Sequence, residues 1–259
     1  MRRLLTIGLL ACIGCNAELG PKPGTTPDAS GGGNDDAPIV PDGPPSFDAP
    51  TCSNGRVVYL NFEGQALTDA AASDATQNLA SWMTIATGTA PAFRAASATR
   101  AADITAITDG IRTQLSEFPI NVVTTRPATG PYVMIVFGGT AQQIGSMYSL
   151  AVNQLDCNDA VKSDVAWIAD ALDPQNGTPL FSNQYLINTA IGAIGFGLGL
   201  TATSDPGDCM CAWGNQCQPG AGACTLSTSI ARDPQSTLLC TGAPATQDEK
   251  AAFTQAFCQ

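Results

Sequence analysis

The chain has 259 residues, 44% of them hydrophobic and only 13% charged, with a formal net charge of -11. That length allows one domain of ordinary size with extensions, with enough apolar material for a sizeable core. The acidic balance, without any basic run, excludes nucleic acid as a partner. Histidine is absent, which removes the commonest general base and the commonest zinc ligand together.

Arg2 and Arg3, the apolar run Leu4–Ala11 and the small residues after it predict a secretory signal peptide over residues 1–15, too short to span a bilayer as a stable helix. Its end resembles a bacterial lipoprotein signal, in which the chain is cut before a cysteine that receives the lipid. Leu9-Leu10-Ala11-Cys12 has the better residue three places back, and Ile13-Gly14-Cys15 the better residue directly before the cysteine. Cleavage before Cys15 leaves eight other cysteines, an even set suited to an oxidising compartment. Cys15 is therefore the favoured lipidation site, Cys12 the alternative, and a cleaved signal without lipid the plainer reading. The expectation is an exported chain held to the membrane through a lipid anchor, on the outer membrane or cell surface, or else secreted. Residues 16–50 are rich in Pro, Gly, Asp, Ser and Thr and predict a disordered tether. At about 5–6 Å × √n, such a coil holds a domain some 30 Å or more from its anchor.

The folded domain is expected over residues 51–259. The β-branched and aromatic run Arg56–Phe62 predicts a strand. Thr68–Ser81, rich in alanine, reads as a short helix or an irregular loop. Ile104, Ile107, Ile111, Leu115 and Phe118 fall at steps of three and four and predict a helix over Ala101–Phe118, stopped by Pro119. Strands follow at Ile120–Thr125, Pro131–Phe137 and Asp164–Ala169, with a short strand or edge at Met147–Val152. A second helix is expected over Phe181–Gly197, then cysteine-rich loops over Asp205–Cys240. Thr246-Gln247-Asp248-Glu249 reads as a capping box opening a last helix, Gln247–Phe257. The fold class is mixed α/β or α+β, with a small sheet and three main helices.

Asn188–Thr203 (NTAIGAIGFGLGLTAT) carries no charge and is studded with glycine. A glycine inside a helix costs about 1 kcal/mol relative to alanine, so local propensity does not select this sequence. Zinc peptidases of the metzincin group have the same order of elements. Their central helix carries H-E-x-x-H-x-x-G-x-x-H, followed by a methionine-containing turn and a last helix. The spacing serves the chemistry: two His one helical turn apart reach one zinc, the Glu acts as general base on its water, and the Gly turns the chain so that a third His closes the site. Gly192–Ala202 (GAIGFGLGLTA) resembles that motif with its reactive residues replaced. Gly192, Phe196 and Ala202 stand at the three His positions, Ala193 at the Glu position and Gly199 at the turn glycine. Ile194, Gly195, Leu198 and Leu200 keep the apolar frame. Asp208-Cys209-Met210 resembles the methionine turn, with Met210 as its methionine. VVYLNFEG, VVTTRP and PYVMIVFGG are similar to the first strands of exported members, so the resemblance covers Arg56–Phe257. It implies a metzincin-like domain with a small twisted mixed sheet, a long N-terminal helix, a central former zinc helix, a C-terminal helix and disulfide-rich loops. It also implies a pseudoenzyme: no catalytic residue, no zinc, and Phe196 filling the vacated metal cavity. The plainer alternative is a close-packed core helix whose glycines admit near backbone approach.

Cys209, Cys211, Cys217 and Cys224 could bind zinc as four thiolates, but C-x-C-x5-C-x6-C lacks paired C-x2-C knuckles. Disulfides fit the compartment better. With Cys52, Cys157, Cys240 and Cys258 they make a set of eight, and the five from Cys209 to Cys240 are expected to pair mostly among themselves. A Ser-His-Asp triad is excluded, and Ser-Lys chemistry nearly so, since beyond the signal only Lys22, Lys162 and Lys250 remain. Glu63, Asp156, Asp159, Asp164, Asp170 and Asp173 show no pairing in their spacing and read as solvated or turn carboxylates. Asp156-Cys157-Asn158-Asp159 with Asp164 could take Ca2+ through oxygen, against ordinary turn chemistry. Trp167 reads as core, and Trp213 as a loop anchor or an exposed contact residue. The functional expectation is an envelope protein that binds a peptide, a protein or a surface glycan. The alternatives are an active hydrolase with unusual ligands and a purely structural cell-surface protein.

Overall fold

β-Branched and aromatic residues put the first strand, β1, at Val57–Asn61. The chain then makes a small second sheet from β2 (Gln65–Asp69), β3 (Leu79–Ala80) and β4 (Thr87–Ala90), in the order β3-β2-β4. Helix α1 spans Arg100–Gln114. β5 (Asn121–Val123) and β6 (Tyr132–Phe137) follow, then the short helix α2 (Ala141–Ile144), β7 (Ala151–Val152), β8 (Val165–Ile168) and helix α3 (Asn183–Gly197). A 3-10 turn covers Cys209–Trp213, β9 (Ile230–Ala231) pairs with β10 (Thr246–Gln247), and α4 spans Glu249–Phe257. These come from a computed structural model that describes residues 56–170, 178–213, 217–235 and 240–258, all within the unit Ser46–Gln259.

The main sheet has the order β5-β1-β6-β8-β7. β5, β1, β6 and β8 run parallel, and β7 is antiparallel to β8, pairing Ala151 with Ile168 and Val152 with Trp167. A parallel sheet covered on both faces has continuous apolar strands, and every residue of β6 and β8 is buried. Val58, Leu60, Val133, Ile135, Phe137 and Ile168 face one core, shared with Ile107 and Ile111 of α1, Leu186, Ile191 and Ile194 of α3, and Phe253 and Phe257 of α4. Tyr59, Tyr132, Met134, Val136, Val165 and Trp167 face a second core, closed by Leu67, Trp82, Met83 and Ile144. The alternating residues of single strands thus serve opposite layers. Trp167 is fully buried, its indole donating to Gly138 O at 2.7 Å.

Of two local expectations, one resolves to its second alternative and one is corrected. Thr68–Ser81 is an irregular loop and not a helix: it runs from β2 to β3, and between them the Asp74 carboxylate accepts from Thr76 N at 2.9 Å and Thr76 Oγ1 at 2.6 Å. Such local side-chain bonds compete with helix formation. Thr246-Gln247-Asp248-Glu249 is not a capping box. Thr246 and Gln247 are β10, Asp248 caps α4 by accepting from Ala251 N at 2.8 Å, and the Glu249 carboxylate accepts from Ser227 N at 2.9 Å. The reciprocal box lies at Thr140 and Gln143, on α2, which the sequence pattern did not mark. The expected signal peptide, lipidation site and tether, with Cys12, Cys15 and Cys52, lie outside the described residues. Among the described residues no helix is long and apolar enough to cross a membrane.

The expected apolar stripe is buried at Ile107 and Ile111 of α1 and, past the helix end, at Leu115 and Phe118, with Ile104 partly so. Ile111 has no solvent exposure. Ile111→Ala is expected to cost about 2–5 kcal/mol, read as a lower urea midpoint with an unchanged m-value.

Candidate functional site

α3 begins where Ser182 accepts from Tyr185 N at 3.1 Å. Its N-terminal turn is placed by Arg94, a non-glycine residue at φ 44°. That guanidinium donates to Asn183 Oδ1 at 3.0 Å and Phe181 O at 3.1 Å, and pairs with Asp103 at 2.8 Å and Asp170 at 3.3 Å. From Leu186 to Gly197 every residue of α3 except Phe196 is buried. A helix packed on all sides cannot be amphipathic, and this explains why the stretch lacks a polar face.

The glycines of α3 are sites of close approach. A methyl on Gly192 would overlap the Trp213 indole and lie 2.7 Å from Cys209 O. On Gly195 it would lie 2.7 Å from Met210 Sδ, and on Gly197 2.6 Å from Asp164 Oδ2. Gly199 ends the helix at φ +82°, a conformation L side chains rarely adopt, and Asp156 O and Cys157 O leave it no room for a side chain. The 3-10 turn at Cys209–Trp213 therefore packs directly on the α3 backbone. Trp213 donates to Thr189 O at 3.2 Å, and its ring stacks on Phe196 with centroids 5.0 Å apart. Asp208 fixes the turn by accepting from Met210 N at 2.8 Å and Thr203 Oγ1 at 2.9 Å.

Gly192, Phe196 and Met210 are thus brought to one side of the fold, with Gly192 and Phe196 under one indole. Ala193 is buried, and its carbonyl accepts from Asn153 Nδ2 at 2.9 Å. Ala202 is buried one segment away, its carbonyl accepting from Asp233 N at 2.7 Å. Trp213 lies over Gly192, and Phe196 is half-buried and stacks against the indole. No periodicity points to this contact, because Trp213 closes a short 3-10 turn between two cysteines. Two described cysteine pairs stay within the expected group, Cys209–Cys224 and Cys211–Cys217. Cys240 departs from it and pairs with Cys157; Cys258 is also disulfide-bonded.

Several carboxylates depart from the expectation of solvated or turn groups. Asp159 is held by Arg56 at 2.6 Å and Lys162 at 2.7 Å, and Asp156 accepts from Val161 N at 2.6 Å, so both carboxylates already have partners that cation binding would have to displace. Asp170 is paired with Arg94, while Glu63 stays exposed beside Arg100; Asp173 lies outside the described residues. Asp164 is 1% exposed, and neither of its oxygens has a hydrogen-bond partner. Burial pushes its carboxyl up to about 8, against the opposing field of Arg56. Asp208 and Glu249, unmarked as a pair by sequence, face each other in the interior, and burial raises both. Among the described residues no cluster of three acidic, cysteine or histidine side chains is placed to hold a metal ion.

Two outcomes follow. Gly192→Ala must displace the indole or the Cys209 carbonyl; a loss of about 1–3 kcal/mol and a shifted Trp213 emission are expected, checked by urea unfolding and fluorescence against Trp213→Phe. Asp164 binds its proton more tightly folded than unfolded. Its stabilising contribution is therefore complete below the ordinary value of 3.8 and is lost as pH rises through about 8. Asp164→Asn should lessen the fall in unfolding midpoint between about pH 6 and about pH 9. Compared with known proteins, the chain matches no family model and no curated protein.

Proposed function

We propose that this is an exported, lipid-anchored protein with a metzincin-like fold whose zinc site has been replaced by apolar packing, and that it binds an extended peptide without cutting it. The observation that carries the reading is the juxtaposition at α3. The motif's turn position holds Gly199 in the left-handed region, and Met210 packs beneath the helix at Gly195. The positions that would hold ligands and base carry Gly192, Ala193, Phe196 and Ala202 instead. The order of strands and helices supports the same reading, as does the indole lying where a Gly192 side chain would project. None of these four residues offers a metal ligand or a titrating side chain, so neither activation of water nor general-base catalysis is available at α3.

Peptide is favoured over glycan by the sheet. Among the described strands β7 is the last of its sheet, antiparallel to β8, with Met147, Tyr148 and Leu150 exposed just before it. A terminal strand offers backbone donors and acceptors to an extended segment, and neighbouring apolar side chains add affinity.

The test combines zinc analysis of the purified full chain, a general protease assay with and without chelator, and capture of peptides from a displayed random library. Substoichiometric zinc, no cleavage and recovery of a consensus of alternating apolar residues are expected. Stoichiometric zinc with chelator-sensitive cleavage would restore the active-hydrolase alternative. A zinc-free, inactive chain that enriches no peptide would favour a purely structural role.

A further inference from the structure

Cys258 caps the C-terminus of α4 and is disulfide-bonded. The other six described cysteines are paired with one another, as Cys157–Cys240, Cys209–Cys224 and Cys211–Cys217. Three cysteines of the sequence remain as partners for Cys258: Cys12, Cys15 and Cys52, none of them among the described residues. The entry to β1 narrows the choice. The Arg56 guanidinium lies over the Phe257 ring, 5.6 Å from its centroid, so the residue before β1 is held beside the last turn of α4. Phe253 and Phe257 share one core with Val58 and Leu60 of β1, which fixes the two elements against each other. Cys52 precedes Arg56 by only four residues, a reach of at most about 14 Å, and Phe257 is the neighbour of Cys258. A disulfide needs Cα atoms about 4.4–6.8 Å apart, which such a segment spans without strain. Cys12 and Cys15 precede Arg56 by more than about 40 residues. Loop-closure probability falls roughly as the −3/2 power of length, so Cys52 meets Cys258 about 30 times more often than Cys15 does.

We propose that Cys52 and Cys258 form a disulfide that pins the end of α4 to the entry of β1. Its formation takes a proton and an electron from each thiol and passes both pairs to the disulfide of an oxidised dithiol carrier, which leaves as the dithiol. The bridge closes a loop around every strand and helix of the domain, from β1 to α4. The other three bridges all lie between β7 and β10 and reach neither of those elements. α4 is the element that needs the link. It has 9 residues, below the length at which a helix holds its shape alone, and Cys258 at its end is exposed. β1, by contrast, is paired on both sides, with β5 and with β6. Joining the frayed end of the helix to the entry of this central strand keeps Phe253 and Phe257 in the core. The pairing stands on these contacts whether or not the domain takes a peptide.

The pairing is tested by peptide mapping of the full, non-reduced chain after cleavage before aspartate. Residues 48–68 then carry Cys52 alone, residues 248–259 carry Cys258 alone, and Cys12 and Cys15 fall before Asp28. The expected product is 48–68 joined to 248–259, separating on reduction. The pairing is overturned if 248–259 runs free without reduction, if it is joined to the segment before Asp28, or if it is joined to a second copy of itself. The pinning is tested with Cys52→Ser. Its Cys258 should take up a maleimide in the native protein, and amide exchange in α4 should quicken about tenfold or more while that of β6 stays unchanged. A folded variant with unchanged exchange in α4 overturns the pinning. The mapping uses the wild-type chain and decides the pairing even where Cys52→Ser does not fold.

Discussion

The α3 backbone at Gly192 lies against the Trp213 indole, and much of the surrounding structure is arranged to keep it there. Contact at that distance requires that the helix carry no side chain and that the turn opposite stay fixed. The first condition is met by glycine, at about 1 kcal/mol of lost helix propensity. The second is met covalently and by hydrogen bonds: Cys211–Cys217 closes the loop that carries Trp213, Cys209–Cys224 ties the turn to the next segment, and Asp208 accepts from Met210 N. The weak helix former and the dense cross-linking are two sides of one packing requirement.

Three disulfides among the described residues do different amounts of work. On the chain-entropy account, the Cys157–Cys240 bridge, with a sequence separation of 83, contributes about 4.5 kcal/mol. Cys211–Cys217, with a separation of 6, contributes about 2 kcal/mol. The long bridge joins the loop after β7 to the region before β10, on either side of the Gly199 turn. The short one mainly fixes local conformation. A domain with few charges and two buried carboxyl sites relies on such links, because exposed ion pairs such as Arg112–Asp109 contribute little.

The strands of the main sheet and α1 were legible because their patterns are strong: an unbroken apolar run in β6, an apolar stripe at steps of three and four in α1. The second sheet was not. β2, β3 and β4 are short and contain Gln, Thr, Asp, Gly and Ala, and only their pairing to one another makes them strands. Of the α3 region, the glycine pattern was visible and its purpose was not, since Trp213 reaches Gly192 from a loop. By sequence, Asp208 reads as a turn residue and Glu249 as a capping residue. Those are local roles, and their shared environment arises only when β10 brings the start of α4 beside segment 225–227.

Replacing a metal by packing changes what holds a fold together. A bound structural or catalytic metal contributes its binding energy to the folded state, and losing the ligands removes that contribution. On the proposed reading, this chain offsets the loss at the same spot. The Phe196–Trp213 stack supplies buried aromatic area, worth about 0.5–1.5 kcal/mol beyond area alone, and the two disulfides around Met210 restrict the unfolded chain. Restoring histidines at Gly192 and Phe196 would therefore not restore a zinc site. The indole would have to leave, and the cross-links that now hold it would oppose its leaving. On that reading the apolar filling is stable because the surrounding links hold it, and a binding role follows more readily than a dormant hydrolytic one.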